Sequence, residues 1–207
     1  MKTTYLNPRI SMVLSAVVLL AAAPSSLLAQ GQAQATIEKP QFDDLPSPDI
    51  SVGKNKSFKP KDWLEVEAKV KLEVAPAPKV PFVDQITVKW FVAVENPEGK
   101  GFLLLTKDVN HVNVPTDEEF YVSVYLSPTT IKRLTGSDRA GKSSVDRVGL
   151  EILWNGVKVG QVSSKGEDGW WNSPNLSRSD KYPLLNKNET VYKFLWWDRY
   201  AEIEERN

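Results

Sequence analysis

Leu64-Glu65-Val66-Glu67-Ala68-Lys69-Val70-Lys71-Leu72-Glu73-Val74 is the stretch whose reading decides the fold. Apolar and charged residues alternate without a break, which places one set on each face of a β-strand. On a helix the same apolar residues would scatter around the whole surface. The pattern predicts a strand with one buried face. The other face, Glu65 to Glu73, reads first as a solvated sheet exterior and only second as a binding surface.

Working outward from that strand, the same period recurs. Pro76, Pro78 and Pro81 close it. Ile86, Val88, Trp90, Val92 and Val94 mark a second strand, and Asn96-Pro97-Glu98-Gly99-Lys100-Gly101 is a turn cluster. Phe102 to Lys107 and Val109 to Val114 read as two short strands, and Phe120, Val122, Val124 and Leu126 as another. Ser127 and Pro128 open a short helix that Gly136 ends, a connector between strands. Val148, Leu150, Ile152 and Trp154 then lead into Asn155-Gly156, a two-residue hairpin turn that pairs Trp154 with Val157 and Ile152 with Val159. Residues 164–189 read as a long polar loop around Trp170-Trp171, and Thr190 to Ile203 as an aromatic-rich last strand.

Upstream, residues 30–62 are rich in Pro and Lys and read as an extended segment. Gln30 to Ala35 is expected as a flexible tail, with one edge strand around Ile50-Val52. Residues 1–29 have the three parts of a secretory signal peptide: Lys2 and Arg9, the apolar run Ile10–Ala23, and Leu27-Leu28-Ala29 for cleavage. Ala33-Gln34-Ala35 offers a second cleavage site. The apolar run would span about 21 Å as a helix, short of a hydrocarbon core of roughly 30 Å. The sequence thus divides into a leader (1–29), an extended segment (30–62) and a domain over 63–207. The predicted class is all-β, an immunoglobulin-like antiparallel β-sandwich of seven to eight strands with one short connector helix. A β-barrel is the runner-up, and charged outward faces argue against one in an outer membrane.

Composition narrows the chemistry. The 207 residues carry 26 basic and 26 acidic side chains, one His and no Cys. Without the leader the balance is 24 to 26, a net charge of −2, so no nucleic-acid footprint exists. Disulfides, thiol catalysis and Cys/His zinc sites are excluded. A secreted domain of this size without Cys must be held by its core alone. His111 lacks a G-x-S-x-G elbow to work with and reads as an isolated exposed His. Gly136 to Ser143 matches G-x-x-x-x-G-K-S, but a helix precedes it and a strand follows, the reverse of a phosphate-binding loop. Asp117-Glu118-Glu119 and Glu202/Glu204/Glu205 read as solvated turn and tail charges rather than glycosidase or calcium carboxylates. Asn55, Asn175 and Asn188 open glycosylation sequons that bacterial export would leave unmodified. No catalytic, cofactor-binding or metal residue is assigned, and no cofactor.

The seven Trp carry what functional signal there is. Trp63, Trp90 and Trp154 fall on or beside apolar faces and read as core. Trp170, Trp171, Trp196, Trp197 and Tyr200 are the candidate ligand or partner surface. Neighbours on a strand point oppositely, so at most one of Trp196 and Trp197 can face the core. Either the paired Trp residues plug the sandwich end, or one or two rings form a platform for a sugar or a protein. The plug is preferred, because surfaces rarely leave large apolar patches uncommitted.

Three segments together carry a family resemblance: Pro60-Lys61-Asp62-Trp63-Leu64-Glu65-Val66-Glu67, Leu184-Leu185-Asn186-Lys187-Asn188-Glu189-Thr190 and Trp196-Trp197-Asp198-Arg199-Tyr200. They resemble a family of secreted immunoglobulin-like, outer-membrane-associated proteins of Akkermansia and related Verrucomicrobia, connected with a type IV pilus-like gene cluster. The resemblance implies an exported, non-enzymatic protein of the periplasm, outer-membrane surface or extracellular space, with a structural, pilus-assembly or adhesion role. Its implied partners are envelope or pilus-associated proteins and host glycans, with membrane contact only through protein partners. The chain departs from a pilin subunit: its apolar run is short, Pro24 follows it, and no acidic residue precedes Glu38. A carbohydrate-binding module using exposed Trp residues is the alternative, and a hydrolase the weakest reading.

Overall fold

The computed structural model describes Met1 and residues 31–49, 59–137, 139 and 141–205. The leader and the edge strand expected at Ile50-Val52 lie outside the described residues. Among the described residues no helix is long and apolar enough to cross a membrane.

β1 (Gln32–Ile37) and β2 (Gln41–Pro46) both pair antiparallel with β3 (Asp62–Ala75). β1 takes one half of that strand, Ile37 opposite Val70 and Gln32 opposite Ala75; β2 takes the other, from Gln41 opposite Glu67 to Pro46 opposite Asp62. The expected flexible tail is therefore a strand, and the expected boundary at residue 63 falls inside β3. The tract resembles linker because its inward residues are small. The fold requires them small: a side chain on Gly160 of the opposite sheet would fall 2.7 Å from the Ala35 carbonyl oxygen.

The rest of the chain supplies β4 (Phe82–Glu95), β5 (Phe102–Pro115), β6 (Glu119–Leu126), helix α1 (Pro128–Thr135), β7 (Val145–Trp154) and β8 (Val157–Ser163). Three two-residue strands follow: β9 (Ser177–Arg178), β10 (Leu185–Asn186) and β11 (Glu202–Ile203). One sheet runs β1-β3-β6-β10 with β2 also on β3; the other runs β11-β5-β4-β7-β8 with β9 parallel to the start of β5. The result is an all-β sandwich of two sheets with one short helix.

The alternation forms the core as its period demands. Leu64, Val66, Ala68, Val70 and Leu72 face Ile86, Val88, Trp90, Val92 and Val94, all but fully buried. Burying an indole such as Trp90 removes roughly 150–250 Å², worth about 4–6 kcal/mol. Its Nε1 lacks a partner among the described residues, a cost of about 1–3 kcal/mol, so burial wins.

Three local expectations shift. Residues 102–115 form one strand, because every residue of β5 but Asn113 pairs with β4 and Asp108 meets Lys89 across the ladder at 3.4 Å. Asn113, at φ 52°, then reverses the facing so that Val114 enters the core. The hairpin turn is as expected, with Asn155 and Gly156 both at positive φ and Trp154 opposite Val157. A bulge after Ile152, however, sets that residue opposite Gly160 rather than Val159. Helix α1 has the expected caps: the Thr130 N–H donates to Ser127 Oγ at 3.2 Å, and Gly136 closes it at φ 76°.

Candidate binding surface

Both sheets have an outer face, and each is covered differently. On the second sheet the cover is the loop after β8. Gly169, at φ 85°, turns it into a 3₁₀ turn at Trp170–Asn172. Trp171 is 2% exposed and stacks on Phe91 with centroids 4.8 Å apart and planes 4° from parallel. Its ring lies where any side chain on Gly149 would sit, so β7 needs glycine there. Trp171 Nε1 donates to Glu151 at 3.1 Å. Trp170 is half-buried, meets Trp171 edge-on, and donates to Ser163 Oγ at 2.9 Å. This pair therefore sits over the face of a sheet and not at the sandwich end.

On the first sheet the cover is the C-terminal segment. The expected last strand over 190–203 does not form. Lys187–Glu189 and Trp197–Arg199 are 3₁₀ turns; only Tyr200, in a single parallel bridge with Tyr121, and Glu202–Ile203 are extended and paired. The reason is the buried cation of Lys187, 3% exposed. Its ammonium donates to the carbonyls of Leu195 at 2.5 Å and Lys193 at 3.4 Å, oxygens a strand would have given to a neighbour, and it lies 4.9 Å from the Tyr200 ring centre. Loss of hydration holds its pKa below the ordinary lysine value.

The charged face of β3 is consequently not all solvated. Tyr125 donates to Glu65 at 2.6 Å, and the Tyr200 hydroxyl lies between Glu65 and Glu67. Arg199 pairs with Glu67 at 2.6 Å and lies 3.8 Å from the Tyr121 ring centre. Loss of hydration raises the Glu67 pKa, against the pull of the Tyr200 hydrogen bond; loss of hydration is also the main cause that raises the Tyr125 and Tyr200 hydroxyls. Beyond the segment's end, Ala201 N–H donates to Tyr121 O and Glu204 N–H to Asn110 O, so the strap joins the two sheets.

From this anchored base the segment pushes rings outward. Tyr192 is buried, donates to Leu45 O at 2.9 Å and stacks on Tyr125 at 5.3 Å; Trp196 stacks on Tyr192 at 6.1 Å. A three-ring column thus runs from sheet to surface. Trp196 takes the left-handed conformation at φ 52°, ψ 39°, a cost of roughly 1–2 kcal/mol for a residue with a Cβ. Trp196 and Trp197 are 50% and 53% exposed, and Phe194 78%. Neither paired Trp faces the core, since no strand forces one inward. Of the five candidate residues, Trp196, Trp197 and half-buried Tyr200 share this strap, and Trp170 and Trp171 belong to the other sheet. Of the expected core Trp residues only Trp90 is fully buried; Trp63 and Trp154 are half-buried.

The remaining sequence candidates fall out differently. His111 is buried, not exposed. Its Nδ1 lies 3.1 Å from the Ala201 carbonyl, which can only accept, so the proton is on Nδ1, and Nε2 has no partner among the described residues. Loss of hydration lowers its pKa to about 4. Lys142, in the phosphate-loop-like stretch, gives its N–H to Asp44 and its ammonium to Asp43, tying that loop to β2. Glu202, Glu204 and Glu205 meet Asn113, Asn110 and Lys193. Among the described residues no group of three His, Asp or Glu could hold a metal ion.

Sequence reasoning missed a polar groove of about 440 Å³ between β5 and the strap. Asn110, Asn186 and Asn188 line it with Lys107, Glu189 and Lys193. A small cleft beside Trp197 shares Asn188, Lys193 and Ile203 with it as a common wall. The signal available was two runs of amide residues, Asn110 to Asn113 and Asn186 to Asn188, in segments otherwise read as strand and loop.

These features define a two-sheet β-sandwich whose outer faces carry a loop with a buried Trp on one side and an aromatic strap on the other. Residues 26–207 match the model of one protein family, and the chain belongs to that family. It is similar to a protein from Akkermansia muciniphila whose crystal structure superposes with a TM-score of 0.80 at 38% identity, over 86% of this chain and 96% of that one. No curated protein matches the chain.

Proposed function

We propose that this is a non-enzymatic, exported, immunoglobulin-like protein of the cell envelope that serves assembly or adhesion by holding a partner on its C-terminal strap. The observation that carries the reading is the exposure of Phe194, Trp196 and Trp197 on a segment pinned from beneath by Lys187, Tyr192 and Tyr200. Pinning matters because a preordered contact surface loses little entropy on binding. Aromatic rings are the usual energetic centres of protein interfaces. Envelope or pilus-associated proteins are the partners this reading expects, with membrane contact only through them.

The test is affinity capture from envelope extract with the full-length protein, comparing wild type with Phe194→Ala and with Trp170→Ala. The expected result is an envelope protein retained by wild type and by Trp170→Ala and lost by Phe194→Ala. Equal capture by all three would remove the strap from the account.

A further inference from the structure

We propose that the groove between β5 and the strap, with Trp197 in the adjoining cleft, is a carbohydrate-binding site for a neutral pyranose sugar. The proposal rests on the non-enzymatic binding reading and names a ligand class for the same strap. Three observations converge on it. The first is size: about 440 Å³ lies within the usual range of ligand clefts, roughly 300–1,000 Å³. The second is the lining. Asn188 brings a planar amide that both donates and accepts, with the Asn186 amide beside it; Asn110 is held between Thr87 and Glu204, and Glu189 by Lys107 and the Asn186 N–H, so these present only their remaining lone pairs and hydrogens. A sugar ring presents hydroxyls that do both, so this mixed set matches it where an apolar cleft would not. The third is the aromatic neighbour. Trp197 is 53% exposed and lines not the groove itself but the small cleft behind the shared wall of Asn188, Lys193 and Ile203, and a flat indole suits the C–H face of a pyranose ring.

Charge selects among sugars. The groove carries Lys107 and Lys193 against Asp108, Glu189, Glu204 and Glu205. Both ammonium groups are already committed, Lys107 to Glu189 at 2.7 Å and Lys193 to Glu205 at 2.6 Å. Asp108 is in turn paired with Lys89 at 3.4 Å, so the balance is a surplus of one negative charge, with no free cation among the described residues of the lining. Sialylated, sulfated and phosphorylated ligands are disfavoured on that ground. Another groove among the described residues, about 470 Å³ between Phe82 and Trp154, has no strap residue in its lining.

The test is a titration of the full-length protein followed by tryptophan fluorescence and by the indole N–H resonances. The probes are galactose, N-acetylglucosamine, N-acetylgalactosamine and fucose, with 3′-sialyllactose and a sulfated heparin disaccharide for comparison. At least one neutral sugar should give a saturable shift, weakened about tenfold by Trp197→Ala and threefold to tenfold by Asn188→Ala. Trp170→Ala, on the cover of the other sheet, should leave the sugar affinity unchanged. The anionic sugars should bind more weakly than the neutral one. The proposal is overturned if no neutral sugar saturates, if Trp197→Ala and Asn188→Ala bind as wild type does, or if an anionic sugar binds tightest. A negative sugar titration beside a capture that still depends on Phe194 overturns the sugar site and leaves the partner reading standing.

Discussion

The two outer faces of the sandwich are closed by opposite chemistry. Over β4, β5 and β7 the cover is one indole pressed on Phe91 and Gly149. Over β3 and β6 it is a web of Glu65, Glu67, Tyr125, Tyr200, Arg199 and Lys187. The apolar cover buries Trp171 and half-buries Trp170. The polar cover is held by directed bonds, so it can leave Trp196, Trp197 and Phe194 outside without coming loose. Dry packing seals a surface, whereas a polar base can support a presented one.

That contrast can be broken at several points, the most costly first. Trp171→Ala should lower stability by about 3–5 kcal/mol in urea unfolding, the usual cost of emptying a buried indole site. Gly149→Ala alone should cost about 1–3 kcal/mol by overpacking. Combined with Trp171→Ala it should cost less, because the two share one space; strict additivity would show that the ring does not rest on Gly149.

Next comes pH. His111 is neutral in the fold with a pKa near 4, against 6.5 for the free side chain. Its lowered pKa means the unfolded chain binds the proton first, so its contribution is complete above pH 6.5. That contribution falls away as pH drops toward 4, by about 3 kcal/mol in all. Unfolding curves across that window should show the slope, and His111→Leu should flatten it. Glu67, whose pKa is raised, acts in the opposite sense: it favours the fold as pH falls through its folded value.

Lys187→Met should cost about 1–3 kcal/mol by orphaning the Leu195 and Lys193 carbonyls. Amide exchange should then quicken over residues 187–200 and stay as it was over 164–184. Uniform quickening would mean the two covers are one cooperative unit. The smallest effect belongs to Trp196→Gly. Relief of the left-handed backbone, roughly 1–2 kcal/mol, offsets the lost stacking on Tyr192, so the melting temperature should hardly move. A drop of more than about 4 °C, the larger shift expected of 1 kcal/mol in a domain of 150–250 residues, would show that the ring supports the strap rather than rides on it.

Elements whose pattern is local are legible in the amino-acid sequence alone. β3 announces itself by period, α1 by Ser127, Pro128 and Gly136, and the β7–β8 turn by Asn155-Gly156. β1 is hidden because Ala33 and Ala35 are too small to register as apolar, and Ala35 packs against Gly160 far along the chain. His111 reads as exposed from its neighbours Asp108, Asn110 and Asn113, although it shares a face with Leu105 and Val109. The strap reads as a strand only because of its aromatic content. Val191 to Trp197 has no period to read, and its path is set by Lys187 reaching back for carbonyls. The Trp residues are the right ones to single out, but which pair is covered depends on Gly149 and Phe91, on strands distant in sequence.

β1 also bears on maturation. Ala33-Gln34-Ala35 has the form of a leader-peptidase site, yet these residues are half of a core-lining strand paired to Val74, Glu73 and Leu72. A product beginning at Thr36 would keep only two residues of β1 and bare the backbone of β3 and the groove against Gly160. A cut after Ala29 leaves the strand whole. Were the leader removed, the choice between two sites six residues apart would decide whether β1 or β3 forms the edge of the first sheet.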